Sequence, residues 1–66
     1  MYKCVIWSNN SYGREYEVTT KSAMQCAMAY GRADYGEVVE IRTQGGKVVS
    51  RVRWDVMTHS YVRVAI

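Results

Sequence analysis

An α+β two-layer sandwich, a single antiparallel β-sheet in the chain order β-β-α-β-β-β with one helix on one face, is the fold class the sequence predicts. Three observations point to it. The apolar supply suits a pleated surface, with ten valines, three isoleucines and six tyrosines but no leucine, phenylalanine or proline. A single stretch, Thr20 to Asp34, is rich in Ala, Met and Gln and reads as helix. The pair Gly45-Gly46 separates two β-rich runs whose alternating residues sort onto two faces. The chain has 66 residues, of which 48% are hydrophobic and 23% charged, and this fits one globular domain spanning residues 1–66. A chain so short buries only about 60% of its unfolded surface, so its core is thin and homodimerisation is left open. No apolar run approaches the roughly 18 residues of a membrane span, and the composition is neither collagenous nor disordered.

Tyr2 to Ser8 is an apolar run of strand length, and Asn9 to Gly13 after it is rich in turn residues. Arg14 to Thr19 alternates Tyr16 and Val18 against Glu15, Glu17 and Thr19, as a half-buried strand does, so the first two strands are expected to form a hairpin. The helix predicted over Thr20 to Asp34 has Ser22 followed three residues later by Gln25, the spacing of a capping box, with Thr19 or Thr20 as alternative caps a turn earlier. Ala23, Cys26, Ala27 and Tyr30 share one face of it, which predicts a close approach to the sheet with Tyr30 as the large contact.

Glu37 to Gln44 and the run after Gly46 form the strongest pattern in the chain. A two-residue turn at Gly45-Gly46 pairs Gln44 with Lys47, Arg42 with Val49, Ile41 with Ser50, Glu40 with Arg51 and Val39 with Val52. One face then carries Val39, Ile41, Thr43, Val48, Ser50, Val52 and Trp54. The other carries Val38, Glu40, Arg42, Val49, Arg51 and Arg53. Thr58-His59-Ser60 reads as a turn, and Tyr61 to Ile66 as a last strand with Val62, Val64 and Ile66 opposite Tyr61, Arg63 and Ala65.

Catalytic and metal chemistry find little support. His59 is the single histidine and lies in a polar turn, and three Cys and His residues in all are too few and too scattered for a structural zinc site. Gly45-Gly46-Lys47 resembles the end of a phosphate loop, but a strand follows it where that loop requires Ser or Thr and a helix. The carboxylates Glu15, Glu17, Asp34, Glu37, Glu40 and Asp55 are expected on solvent faces or at element ends. The expectation is a non-enzymatic chain without metal or cofactor. Cys4 and Cys26 lack paired spacing, and Met1 to Cys4 is not an apolar signal segment, so a reducing, cytoplasmic setting is expected.

Charge is more informative. The chain carries a formal +3, and residues 42–66 hold Arg42, Lys47, Arg51, Arg53 and Arg63 against Asp55 alone. Alternation places Arg42, Arg51, Arg53 and Arg63 on the sheet face away from the helix, with Val38, Val49 and Tyr61 among them. Arginine mixed with tyrosine and valine suits a protein interface. Arginine beside an aromatic ring also suits single-stranded nucleic acid, RNA or DNA. Met24 and Met28, spaced i, i+4 on the helix flank, add an adaptable apolar contact. The function expected is a small binding or regulatory module with a basic face for a macromolecular partner, a protein first and single-stranded nucleic acid as the alternative.

Overall fold

A computed structural model describes residues 1–8, 13–32 and 36–66. Strands β1 (Tyr2–Trp7), β2 (Gly13–Val18), β3 (Val38–Arg42), β4 (Val48–Asp55) and β5 (Ser60–Arg63) and helix α1 (Ala23–Tyr30) occur in the expected chain order. The strands form one antiparallel sheet in the spatial order β2-β1-β3-β4-β5, with the helix packed over β3, β4 and β5. Because β1 pairs with both β2 and β3, the two strands joined through α1 run parallel with β1 inserted between them. The turn expected at Asn9 to Tyr12, and the end of the expected helix at Ala33 and Asp34, lie outside the described residues.

The helix starts where the sequence placed its cap. Ser22 Oγ accepts the Gln25 N–H at 3.2 Å. The return half of a capping box is relayed, since Thr20 Oγ1 accepts the Ser22 N–H and donates to Gln25 Oε1. Ser50 Oγ on β4 accepts the Ala23 N–H, which fixes the first turn of the helix against the sheet. The helix ends at Tyr30, earlier than expected. Gly31 is extended, and the Arg32 N–H turns to the Glu37 carboxylate at the start of β3.

The core lies between α1 and one sheet face, built from Cys4, Ile6, Val18, Ala23, Cys26, Ala27, Val39, Ile41 and Val52. Tyr30 is not its large contact. It lies 41% exposed and stacks on Tyr16 at the sheet edge, with ring centroids 4.4 Å apart.

The β3–β4 register matches expectation from Val39↔Val52 through Glu40↔Arg51 to Ile41↔Ser50, and then slips, with Arg42 opposite Val48. Val49 is the extra residue of a bulge. The bulge exchanges the sides of the two valines, so Val48 shares the side of Arg42 while Val49 packs against the core. It also replaces the two-residue turn by a three-residue loop. The Thr43 N–H donates to Lys47 O, the Gly46 N–H donates to Thr43 O, and only Gly46 has a positive φ, of 96°.

Candidate functional site

The sheet face away from the helix is built in cross-strand rows. Trp7 lies beside Val38, which lies beside Arg53 and then Val62, while Gly13 flanks Trp7 on the other side. The next row runs Glu15, Val5, Glu40, Arg51, and the third runs Glu17, Lys3, Arg42. The helix covers none of these side chains, yet Glu40 is only 5% exposed and Val5 7%. Their own neighbours enclose them.

Glu40 organises this face. Its Oε1 accepts from Nε and Nη2 of Arg42, the latter at 2.8 Å, and from the Trp7 indole N–H at 3.2 Å. Its Oε2 accepts from Arg51 Nε at 2.7 Å. Burial pushes the Glu40 carboxyl up, but the hydrogen bonds from Arg42 and Trp7 and the charges of Arg42 and Arg51 outweigh it and hold the group below its ordinary value. The same bonds fix Trp7. Its indole is anchored at Glu40 on one side and rests on Gly13 on the other, where a Cβ would stand 3.2 Å from two ring carbons. The indole therefore lies across the sheet, 43% exposed, as a pre-positioned aromatic surface. A shallow groove of about 470 Å³ runs past it, lined by Lys3, Val5, Glu15, Arg42 and Thr43.

The residues singled out from the sequence do not form one surface. Arg42, Arg51 and Arg53 share the open face as expected. Tyr61 does not, because it sits directly opposite Trp54 on the helix side, 5.2 Å from that ring, with its phenol against Gly31 at the helix C-terminus. Burial, reinforced by the Glu37 carboxylate, pushes that phenol up, and its hydroxyl has no hydrogen-bond partner among the described residues. Arg63 is opposite Val52 and so also lies on the helix side, while Val62 takes the expected place of Tyr61 beside Arg53. The inversion arises from the β4–β5 connection, where residues 56–59 form the turn and β5 already begins at Ser60. Met24, Val49 and Arg63 instead line a groove of about 520 Å³ beside the helix N-terminus with Ser22 and Val64, and Arg51 borders it as well. Met28 is separate from both surfaces and 80% exposed.

Two carboxylates also differ from expectation. Glu37 is 1% exposed and accepts from Arg14 Nη2, and Glu40 is buried as described. Val38 lies on this face as alternation placed it, whereas Trp7 and Lys3 were not among the residues singled out from the sequence. Their signal was the parity of β1, because Lys3 marks the polar side and Trp7 shares it.

Cys4 and Cys26, distant in sequence, meet in the core as free thiols. Burial, with the neighbouring Cys26, pushes the Cys4 thiol up to about 12, which leaves almost no reactive thiolate near neutral pH. His59 is an exposed turn residue with φ 53°, 6.4 Å from the Trp54 ring. Among the described residues no three His, Cys, Asp or Glu side chains gather as a metal site would require, and no helix is long and apolar enough to cross a membrane. No family model, curated protein or solved structure matches this chain.

Proposed function

We propose that the chain is a small non-enzymatic binding module whose open sheet face, centred on Trp7 and Arg53, meets another protein. The observation that carries this reading is the position of Glu40. By taking up Arg42 and Arg51 it neutralises the arginine cluster from within, and with Glu15 and Glu17 it sets three carboxylates against the four cations Lys3, Arg42, Arg51 and Arg53. A face so nearly balanced holds little attraction for phosphates, whose binding depends on uncompensated Lys and Arg. A rigid, half-exposed tryptophan flanked by arginine and valine is the composition of a protein-interface centre.

The test has two arms. A mixed single-stranded oligonucleotide titrated at low salt is expected not to bind; binding whose logarithm falls with log salt by about 0.7 per phosphate contact would contradict the reading. Capture from nuclease-treated native extract is expected to retain a protein that Trp7→Ala and Arg53→Glu both release while their melting transitions remain cooperative. Capture indifferent to both variants would contradict it as well.

A further inference from the structure

The charges of the open face are segregated by strand. The β2 flank presents Glu15 and Glu17, the β4 flank presents Arg51 and Arg53, and between them lie Val5, Trp7 and Val38 of β1 and β3. Lys3 is opposite Glu17 in the sheet, and Arg42 and Arg51 are both bonded to Glu40, which leaves Glu15 and Arg53 as the charges of this face with neither an ion pair nor an opposite charge across the strand among the described residues. What remains is Glu15 on one flank and Arg53 on the other, on either side of an apolar, aromatic centre. Such a face is complementary to itself.

We propose, resting on the protein-binding reading above, that the partner on this face is a second copy of the chain, paired through a two-fold axis parallel to the strands. An axis running between β1 and β3 reverses the strand order and keeps each row. It therefore lays β2 of one copy over β4 of the other, and β1 over β3. Glu15 then faces the partner's Arg51 with the partner's Arg53 one row along, and Trp7 lies over the partner's Val38. The partner's Arg53 then lies over Gly13, against the indole that already rests there. In the third row Lys3 lies over the partner's Arg42, each beside a carboxylate of its own copy, Glu17 and Glu40, and every contact occurs twice, as a two-fold interface requires. Face-to-face sheets pack about 10 Å apart, a spacing that side chains of this size fill.

The experiment is sedimentation analysis of the wild-type chain over a wide concentration range, with Glu15→Arg and Arg53→Glu examined singly and mixed in equal amounts. Neither residue takes part in an ion pair within the chain among the described residues, whereas Arg51 holds the buried Glu40 and is left intact. The wild type is expected to dimerise, more weakly as salt rises. Each variant alone, by setting like charges against each other twice, is expected to raise the dimer dissociation constant by about tenfold or more, and the mixture to restore dimerisation as a heterodimer. A wild type monomeric at every concentration, a dimer indifferent to both variants, or a mixture that stays dissociated would each overturn the proposal. Should the chain be monomeric while Trp7 and Arg53 still govern capture of another protein, self-pairing fails and the protein-binding face stands. Loss of both, with oligonucleotide binding in their place, removes the protein-binding reading too.

Discussion

Glu40 is the residue on which the open face depends. A carboxylate in the middle of a sheet is placed against its β propensity, and it persists here because Arg42, Arg51 and the Trp7 indole satisfy it together. Replacing it by Gln leaves two guanidinium groups without their counter-charge, and the loss expected at neutral pH is about 1 to 3 kcal/mol in chemical denaturation. The pH dependence has a definite sign. Because the folded carboxyl is held below its ordinary value of 4.5, its contribution is fully present above that value and is lost as pH falls through the lower, folded one. The stability gap between wild type and Glu40→Gln is therefore expected to narrow in acid below about 4.5. A gap that is constant across this range would show that the charge of Glu40 is not what the face uses. The pairing of Glu40 with Arg51 was legible in the sequence, since the face sorting of β3 and β4 sets them opposite each other. Its burial was not, because the enclosing groups, Trp7 above all, come from a strand more than thirty positions away along the chain.

Among the elements, the β3–β4 hairpin shows both how far alternation reads and where it stops. From Val39 to Ile41 the order of valine, glutamate and isoleucine leaves one workable register against Val52, Arg51 and Ser50. Beyond Ile41 the partner strand offers Val48 and Val49 in succession. With two identical side chains a one-residue slip costs nothing in pattern, so the bulge is invisible to it. The loop it creates requires a positive φ at Gly46 alone, while a Cβ on Gly45 would find its nearest neighbour 3.8 Å away. Gly46→Val is expected to lose about 1 kcal/mol or more in thermal or chemical unfolding, and Gly45→Ala to be close to neutral. Equal losses at the two positions would place the left-handed residue elsewhere. The edge strand β5 escaped for a related reason. Its apolar residues Val62 and Val64 suggested one inward parity, but the helix reaches β5 at its own C-terminus, where the large ring of Tyr61 is the side chain that fills the space.

At the scale of the whole molecule, the helix buries one sheet face and leaves the other to its own side chains. The two faces should differ in how strongly they resist truncation. Val52, buried beneath α1, is expected to lose about 1 to 3 kcal/mol on replacement by Ala, whereas Val62 on the open face should change stability by no more than about 0.5 kcal/mol in dilute solution. A large loss at Val62 in dilute protein would mean that its face is already covered within a single copy. The same asymmetry underlies the functional reading, because an open face with a fixed indole and segregated charge is the surface left for a partner. The fold class and element order were legible in composition and period. Of the open face, alternation gave Val38, Glu40, Arg42, Arg51 and Arg53, but not Trp7, whose place depends on which strands lie side by side: β1 between β2 and β3 brings it into rows with Val38 and Arg53.

The most direct measurement is a backbone and indole amide NMR spectrum followed through a dilution series, then on addition of a single-stranded oligonucleotide at low salt. The account predicts concentration-dependent shifts at the Trp7 indole N–H and at the amides of Val38, Arg53 and Val62, quiet signals at Met24, Val49 and Arg63 in the groove beside the helix N-terminus, and no response to the oligonucleotide. Shifts confined to the helix side, or an open face that stays silent on dilution and moves only with the oligonucleotide, would contradict it.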